Sequence, residues 1–217
     1  MNRSYSKERT HLSLYGAVGK SYSARRAFSL PEVIVALTIV MVVAAVALPN
    51  LAGHLDQKRI DATASLLAEV RDGLSSPGTG FRQVVNANAG QLSELTAQIW
   101  NANSGIAPFP TNSCGANFTN GQVNSWDNAG PYLGFFIPAT GLVTPIGVAN
   151  DVLQRIPNSA TAGVVRIVIP NVAESDATML DETVDGGGGA ATGTILWDPP
   201  AAGIVTLRYQ MPINNRC

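Results

Sequence analysis

Residues 25–50 read RRAFSLPEVIVALTIVMVVAAVALPN, and this stretch decides the reading of the whole chain. From Val33 to Leu55 there is no Asp, Glu, Lys or Arg. Counting Phe28–Leu30 and the residues up to Gly53, about 25 residues would give roughly 38 Å of helix at 1.5 Å per residue. That exceeds a bilayer core of about 30 Å. Arg25 and Arg26 abut the run on its N-terminal side, so that end is expected to stay in the cytoplasm and the remainder to be exported.

The charge pattern divides the chain at the same place. Residues 1–27 carry Arg3, Lys7, Arg9, Lys20, Arg25 and Arg26 against Glu8 alone, whereas the rest of the chain is acidic on balance. The formal net charge of −1 hides this division, and it gives no electrostatic case for nucleic-acid binding. Charged residues make up 13% and hydrophobic residues 46% of 217, which excludes a wholly disordered chain. The 21 glycines and 13 prolines imply many turns and exclude an all-helical bundle.

A cleaved secretory signal has an apolar region of only about 7–15 residues and a small-x-small site behind it. Here the run is longer, and it continues into an amphipathic helix. A plain signal anchor fits the length but leaves Glu32 unexplained. A carboxylate inside an apolar span is costly, by about 2.5–3.5 kcal/mol at a helix centre and less near an end. Ser29-Leu30-Pro31-Glu32 fits a capping box with proline in the first turn, which accounts for Glu32 on a water-exposed helix. At the head of a membrane span, Glu32 is better read as awaiting a cation. A new amine, made by cleavage before Phe28, would supply one.

Taken together, these residues resemble the N-terminal signature of type IV prepilins and the related pseudopilins. The resemblance covers about 26 residues. It implies that residues 1–27 are a leader, cut between Ala27 and Phe28 by a prepilin peptidase that then methylates the Phe28 amine. It implies that Glu32 sets assembly register by pairing with that amine on a neighbouring subunit, and that Pro49 is the helix-bending proline. Pro49 removes a backbone hydrogen bond and crowds the preceding turn, so a kink or local melt is expected there. The chain departs from the family at Ala27, where glycine is nearly always found, and in the length of its leader.

The organisation expected is an α+β, lollipop-shaped molecule. A leader (1–27) precedes the apolar half of a long helix (28–53) and its amphipathic half (54–74). A head (75–217) follows, with a possible short helix and then a mostly antiparallel sheet. In the amphipathic half, Ile60, Ala64, Leu67, Val70 and Leu74 recur every three or four residues, with charged residues on the other faces. Leu92, Leu95 and Ile99 suggest a second helix within 81–103. Tyr132–Pro138, Leu142–Val148, Val164–Pro170, Thr194–Trp197 and Ile204–Met211 read as strands.

Within the head the candidate chemistry is sparse. Gly186–Gly189 lacks the lysine and hydroxyl residue of a phosphate loop and reads as a hairpin tip. Asp176, Asp181, Glu182 and Asp185 read as a solvated acidic loop. Calcium is the alternative, since some pseudopilins bind it, but the spacing matches no EF-hand. Otherwise no cofactor is expected. His11 and His54 have no nucleophile or second base nearby in sequence, so no enzyme is expected.

Cys114 and Cys217 would pair in an exported, oxidising setting, contributing about 4–5 kcal/mol on the chain-entropy model. Two unpaired thiols are the alternative. Many type IV pilins have a disulfide bracketing the C-terminal region. Trp126 and Gly130-Pro131-Tyr132-Leu133 resemble, with an insertion, a W-x-G-P-Y-L stretch of major pseudopilins.

The function expected is a structural subunit of a type IV pilus or related filament. Its partners would be the peptidase and methyltransferase, other pilin subunits, the inner-membrane assembly machinery and, before assembly, the membrane itself. It would lie in the inner membrane as a single pass, with the head extracytoplasmic. A type II secretion pseudopilin and a membrane-anchored binding module are the alternatives.

Overall fold

A computed structural model describes residues 29–99, 111–157 and 162–214. Contacts divide the chain into two units, Met1–Ala47 and Leu48–Cys217. Helix α1 (Leu30–Ser75) contributes its first part to one unit and its second part to the other. The head then contains α2 (Phe81–Val85), a 3-10 turn (Ser93–Leu95), α3 (Asn120–Ala129) and α4 (Glu174–Asp185). Its strands are β1 (Leu142–Thr144), β2 (Gly147–Ala149), β3 (Gln154–Pro157), β4 (Ala162–Ala173), β5 (Ile195–Trp197) and β6 (Ile204–Asn214).

All strand pairs are antiparallel. β1 and β2 form a hairpin, and the main sheet has the order β3-β4-β6-β5. This is the α+β arrangement expected from the order of a long helix and then strands. The two strongest β-branched runs became the central pair β4–β6, whose ladder shifts register between Ile169 and Val172. Pro170 and Asn171, the latter at φ 58°, occupy that irregularity.

The core is built from alternation on one side and helical spacing on the other. Val165, Ile167 and Ile169 of β4 and Val205, Leu207, Tyr209 and Met211 of β6 are buried, at every second position. From α1, Ile60, Leu67, Val70 and Leu74 are buried and Ala64 is half-buried at the cluster's edge, as their spacing predicts. Each large side chain so buried contributes about 1.5–3 kcal/mol relative to exposure. Burial pushes the Tyr209 phenol up, partly opposed by Arg71 of α1. Arg59 adds a polar tie from α1, donating to the Pro145 carbonyl from Nε (3.3 Å) and Nη2 (3.2 Å) and meeting Asp176 of α4 at 3.4 Å.

Several local expectations are corrected. Tyr132–Pro138 is not a strand. It is held by Tyr132 N–H to the Leu95 carbonyl (2.8 Å) and Ile137 N–H to Thr96 Oγ1 (3.0 Å); Leu133 and Ile137 reach the core without a ladder, while Phe136 is exposed. The expected helix within 81–103 is only α2 and a 3-10 turn. α2 ends at Asn86, which takes the left-handed conformation (φ 55°), and further on the Thr111 backbone passes so close to Gly90 that no side chain fits there.

The acidic loop is instead the helix α4, and Gly186 is not a hairpin tip. It is the left-handed C-cap of α4 (φ 74°), with its N–H bonded to the Asp181 carbonyl.

Among the described residues, no helix is long and apolar enough to cross a membrane. The side chains at 47–52, which complete the apolar run and include Pro49, lie outside the described residues, although the helix assignment passes through position 49.

Candidate functional site

The Ser29 carbonyl accepts the first helical bond of α1, from Val33 N–H at 3.1 Å. Glu32 therefore stands in the first turn, where the helix dipole favours an anion. It is exposed and makes no ion pair among the described residues. Behind it the apolar side chains are exposed on every face: Leu30 is 74%, Ile34 52%, Val40 62% and Val46 68% exposed. Such a surface is unlike a water-exposed helix, which keeps one polar face. Ala27 and Phe28, the residues flanking the expected cleavage, lie outside the described residues.

The four carboxylates considered for calcium do not converge on a common point. Asp176 meets Arg59, and Glu182 is exposed. Asp181 is buried, and its Oδ2 accepts from the Gly188 and Gly189 amides, each at 2.9 Å. Asp185 Oδ2 accepts from Thr194 and Ile195 amides at 2.7 and 2.8 Å. Asp181 and Asp185 thus fasten the glycine run and the start of β5 to α4. No group of three metal-ligating side chains converges among the described residues.

No cysteine is free among the described residues. Cys114 is in a turn organised by Asn112, whose Oδ1 accepts from the Cys114 amide at 2.9 Å. Its expected partner Cys217 lies outside the described residues. His54 is exposed, and His11 lies outside the described residues.

Trp126 is on α3, which starts with a capping box between Thr119 and Gln122. Its ring packs against Tyr132 at 6.5 Å and 71°, and Tyr132 packs in turn against Phe81 at 5.4 Å. Trp126 Nε1 donates to the Glu94 carbonyl at 2.8 Å. Sequence reasoning missed Glu94. Burial pushes its carboxyl up to about 8, with Asp151 adding to the shift and the Gly90 and Gln91 amides opposing it. Only its place between Leu92 and Leu95, two positions that face the core, could have flagged it.

Residues 22–48 match the family model of the prokaryotic N-terminal methylation motif. No curated protein and no solved structure matches the chain. The matched segment contains Phe28, Glu32 and all but the end of the apolar run, so this chain carries the N-terminal signature of the type IV pilins and pseudopilins.

Proposed function

We propose that this chain is a structural subunit of a type IV pilus or related filament, held in the inner membrane before assembly. The observation that carries the proposal is the methylation motif at residues 22–48, whose described part from Leu30 onward lies on a helix with apolar side chains exposed all round. Such a surface suits lipid first and the packed helices of a filament core afterwards. On this reading residues 1–27 are removed by a prepilin peptidase, the Phe28 amine is methylated, and Pro49 supplies a bend.

Glu32 pairs with the Phe28 amine of the next subunit. Such a pair adds little net stability once desolvated, but a misaligned subunit would leave both charges unpaired, which selects the register. The head faces the extracytoplasmic side, where Cys114 and Cys217 pair. The role is structural rather than catalytic, with pilin subunits and the assembly machinery as partners and no nucleic acid.

A type II secretion pseudopilin is the second reading. It is favoured by the packed unit of Trp126, Tyr132 and buried Leu133, the residues that resemble the pseudopilin stretch.

Substituting Glu32→Ala tests the filament reading. Assembly in cells lacking the wild-type chain should be lost, with accumulation in the membrane unchanged. Filaments at wild-type abundance would leave α1 a mere tether and overturn the proposal.

A further inference from the structure

Three of the head's exposed large apolar side chains flank two turns at one end of it. They are Val143, Val148 and Ile204, at 68%, 46% and 43% exposure. Val143 and Val148 are paired across the β1–β2 ladder, on the face opposite the buried pair Leu142 and Ala149. Their turn carries exposed Pro145, whose carbonyl takes both bonds from Arg59. Arg59 also meets Asp176 in the first turn of α4, and the Glu174 amide there donates to the Gly203 carbonyl at 2.9 Å. Gly203 belongs to the second turn, closed by two backbone bonds between Ala201 and Ile204 at 3.0 and 3.1 Å. Arg59 and the start of α4 thus hold both turns at the same end.

Neither turn carries a charge. There is no Asp, Glu, Lys or Arg from Leu142 to Asn150, or from Pro199 to Leu207. Ala202 has φ 54° and Gly203 φ 76°. In a two-residue turn facing water, the first of these positions favours asparagine, aspartate or glycine, and here it is alanine. The end in question is the one nearest the apolar run in sequence. Arg59 follows Leu55, the last residue of the charge-free run, by four residues, or about 6 Å of helix. Between them Lys58 has a side chain 82% exposed, with Asp61 no nearer than 4.0 Å, and offers a cation to lipid phosphates.

We propose that these two turns are a lipid-contact surface: in the unassembled subunit, Pro145 with the Val143–Val148 pair, and Ala202 with Ile204, rest in the interfacial layer of the extracytoplasmic leaflet. The inference depends on the membrane-held state proposed above, in which the bilayer surface meets α1 around Leu55. A handful of side chains falls well short of the roughly 800 Å² per partner of a standard protein interface. It suits shallow insertion into the headgroup and acyl boundary, about 5–10 Å deep. Docked in this way, the head holds a fixed pose on the bilayer, and extraction into a filament detaches it.

The test uses the full chain in nanodiscs of phosphatidylethanolamine and phosphatidylglycerol, without reductant. One nitroxide at a time is placed on Val148→Cys, Ala201→Cys, Val40→Cys or Asn124→Cys, all at exposed positions. Collision with oxygen, which partitions into lipid, is compared with collision with a water-soluble nickel chelate. Asn124 on α3 sets the aqueous ratio and Val40 the lipid ratio. The oxygen-to-nickel ratio at 148 and 201 should exceed that at 124 by about threefold or more, and Val143→Asp should return the 148 label towards the aqueous value. A lipid-like ratio at 40 with aqueous ratios at 148 and 201 would overturn the lipid-contact surface and leave the membrane-held state standing. An aqueous ratio at 40 would sink that state and this inference with it. Poor collision with both reagents at 148 would mean that a second copy covers the turn, which would also overturn the proposal.

Discussion

The two parts of helix α1 use the same residue types for opposite ends. Up to Val46, valine, isoleucine and leucine are 44–74% exposed, and no face is polar. Between Ile60 and Leu74 the large residues Ile60, Leu67, Val70 and Leu74 form one stripe at 9% exposure or less, with Asp56, Lys58, Glu69 and Asp72 exposed elsewhere around the helix. The difference teaches that hydrophobicity sets where a helix goes, while its periodicity sets what it meets. A stripe joins one core, which β4 and β6 share. A continuous apolar surface needs an environment that surrounds it.

The largest effect expected from breaking this comparison is at the head of the apolar part. Glu32→Ala should abolish filaments on electron micrographs of sheared material, yet shift the head's urea-unfolding free energy by no more than about 0.5 kcal/mol. The contrast between the two parts should then appear in stability alone. Leu67→Ala should cost about 2–5 kcal/mol in the same unfolding assay. Val40→Ala, at a position 62% exposed, should cost less than about 0.5 kcal/mol in detergent. Equal losses at the two positions would mean that the apolar part is packed within the monomer.

A smaller effect concerns the head's own polar interior. Glu94 keeps its proton in the fold up to about 8, against an ordinary 4.5, so the unfolded chain releases that proton first. Its contribution is therefore most favourable below about pH 4.5, declines as pH rises to about 8, and is flat above. The slope is at most about 1.4 kcal/mol per pH unit, and it should be absent from unfolding curves of Glu94→Gln. Last comes Arg59→Ala. Its side chain is 47% exposed, so losing its ties to Pro145 and Asp176 should cost no more than about 1 kcal/mol, with the ion-pair share shrinking in high salt.

What was legible in the sequence follows from how local each signal is. The buried stripe of α1 announces itself through its periodicity, and the strands β4 and β6 through their β-branched runs. Helix α4 carried signals that were overlooked. Ala177 and Leu180 are three apart and buried, Glu174 and Asp176 favour the first turn, and Gly186 ends it. Its carboxylates read as a solvated loop, whereas Asp181 and Asp185 bond the amides of Gly188, Gly189, Thr194 and Ile195, a pairing visible only in three dimensions. Helix α3 had a capping box in Thr119 and Gln122, but its polar composition hid it. Tyr132–Pro138 has strand composition, yet its partners are the carbonyl of Leu95 and the hydroxyl of Thr96 rather than a strand. Glu94 was illegible because nothing local says that its neighbours close over it.

The central claim is that this chain is processed and assembled as a pilin-type subunit, and the most direct test is its N-terminus. Intact mass and N-terminal sequencing would be done on protein from membranes and from sheared surface material. The account predicts a chain beginning at N-methylated Phe28 in both fractions. A chain that retains residues 1–27 in cells with an active prepilin peptidase would contradict it and leave a signal-anchored module.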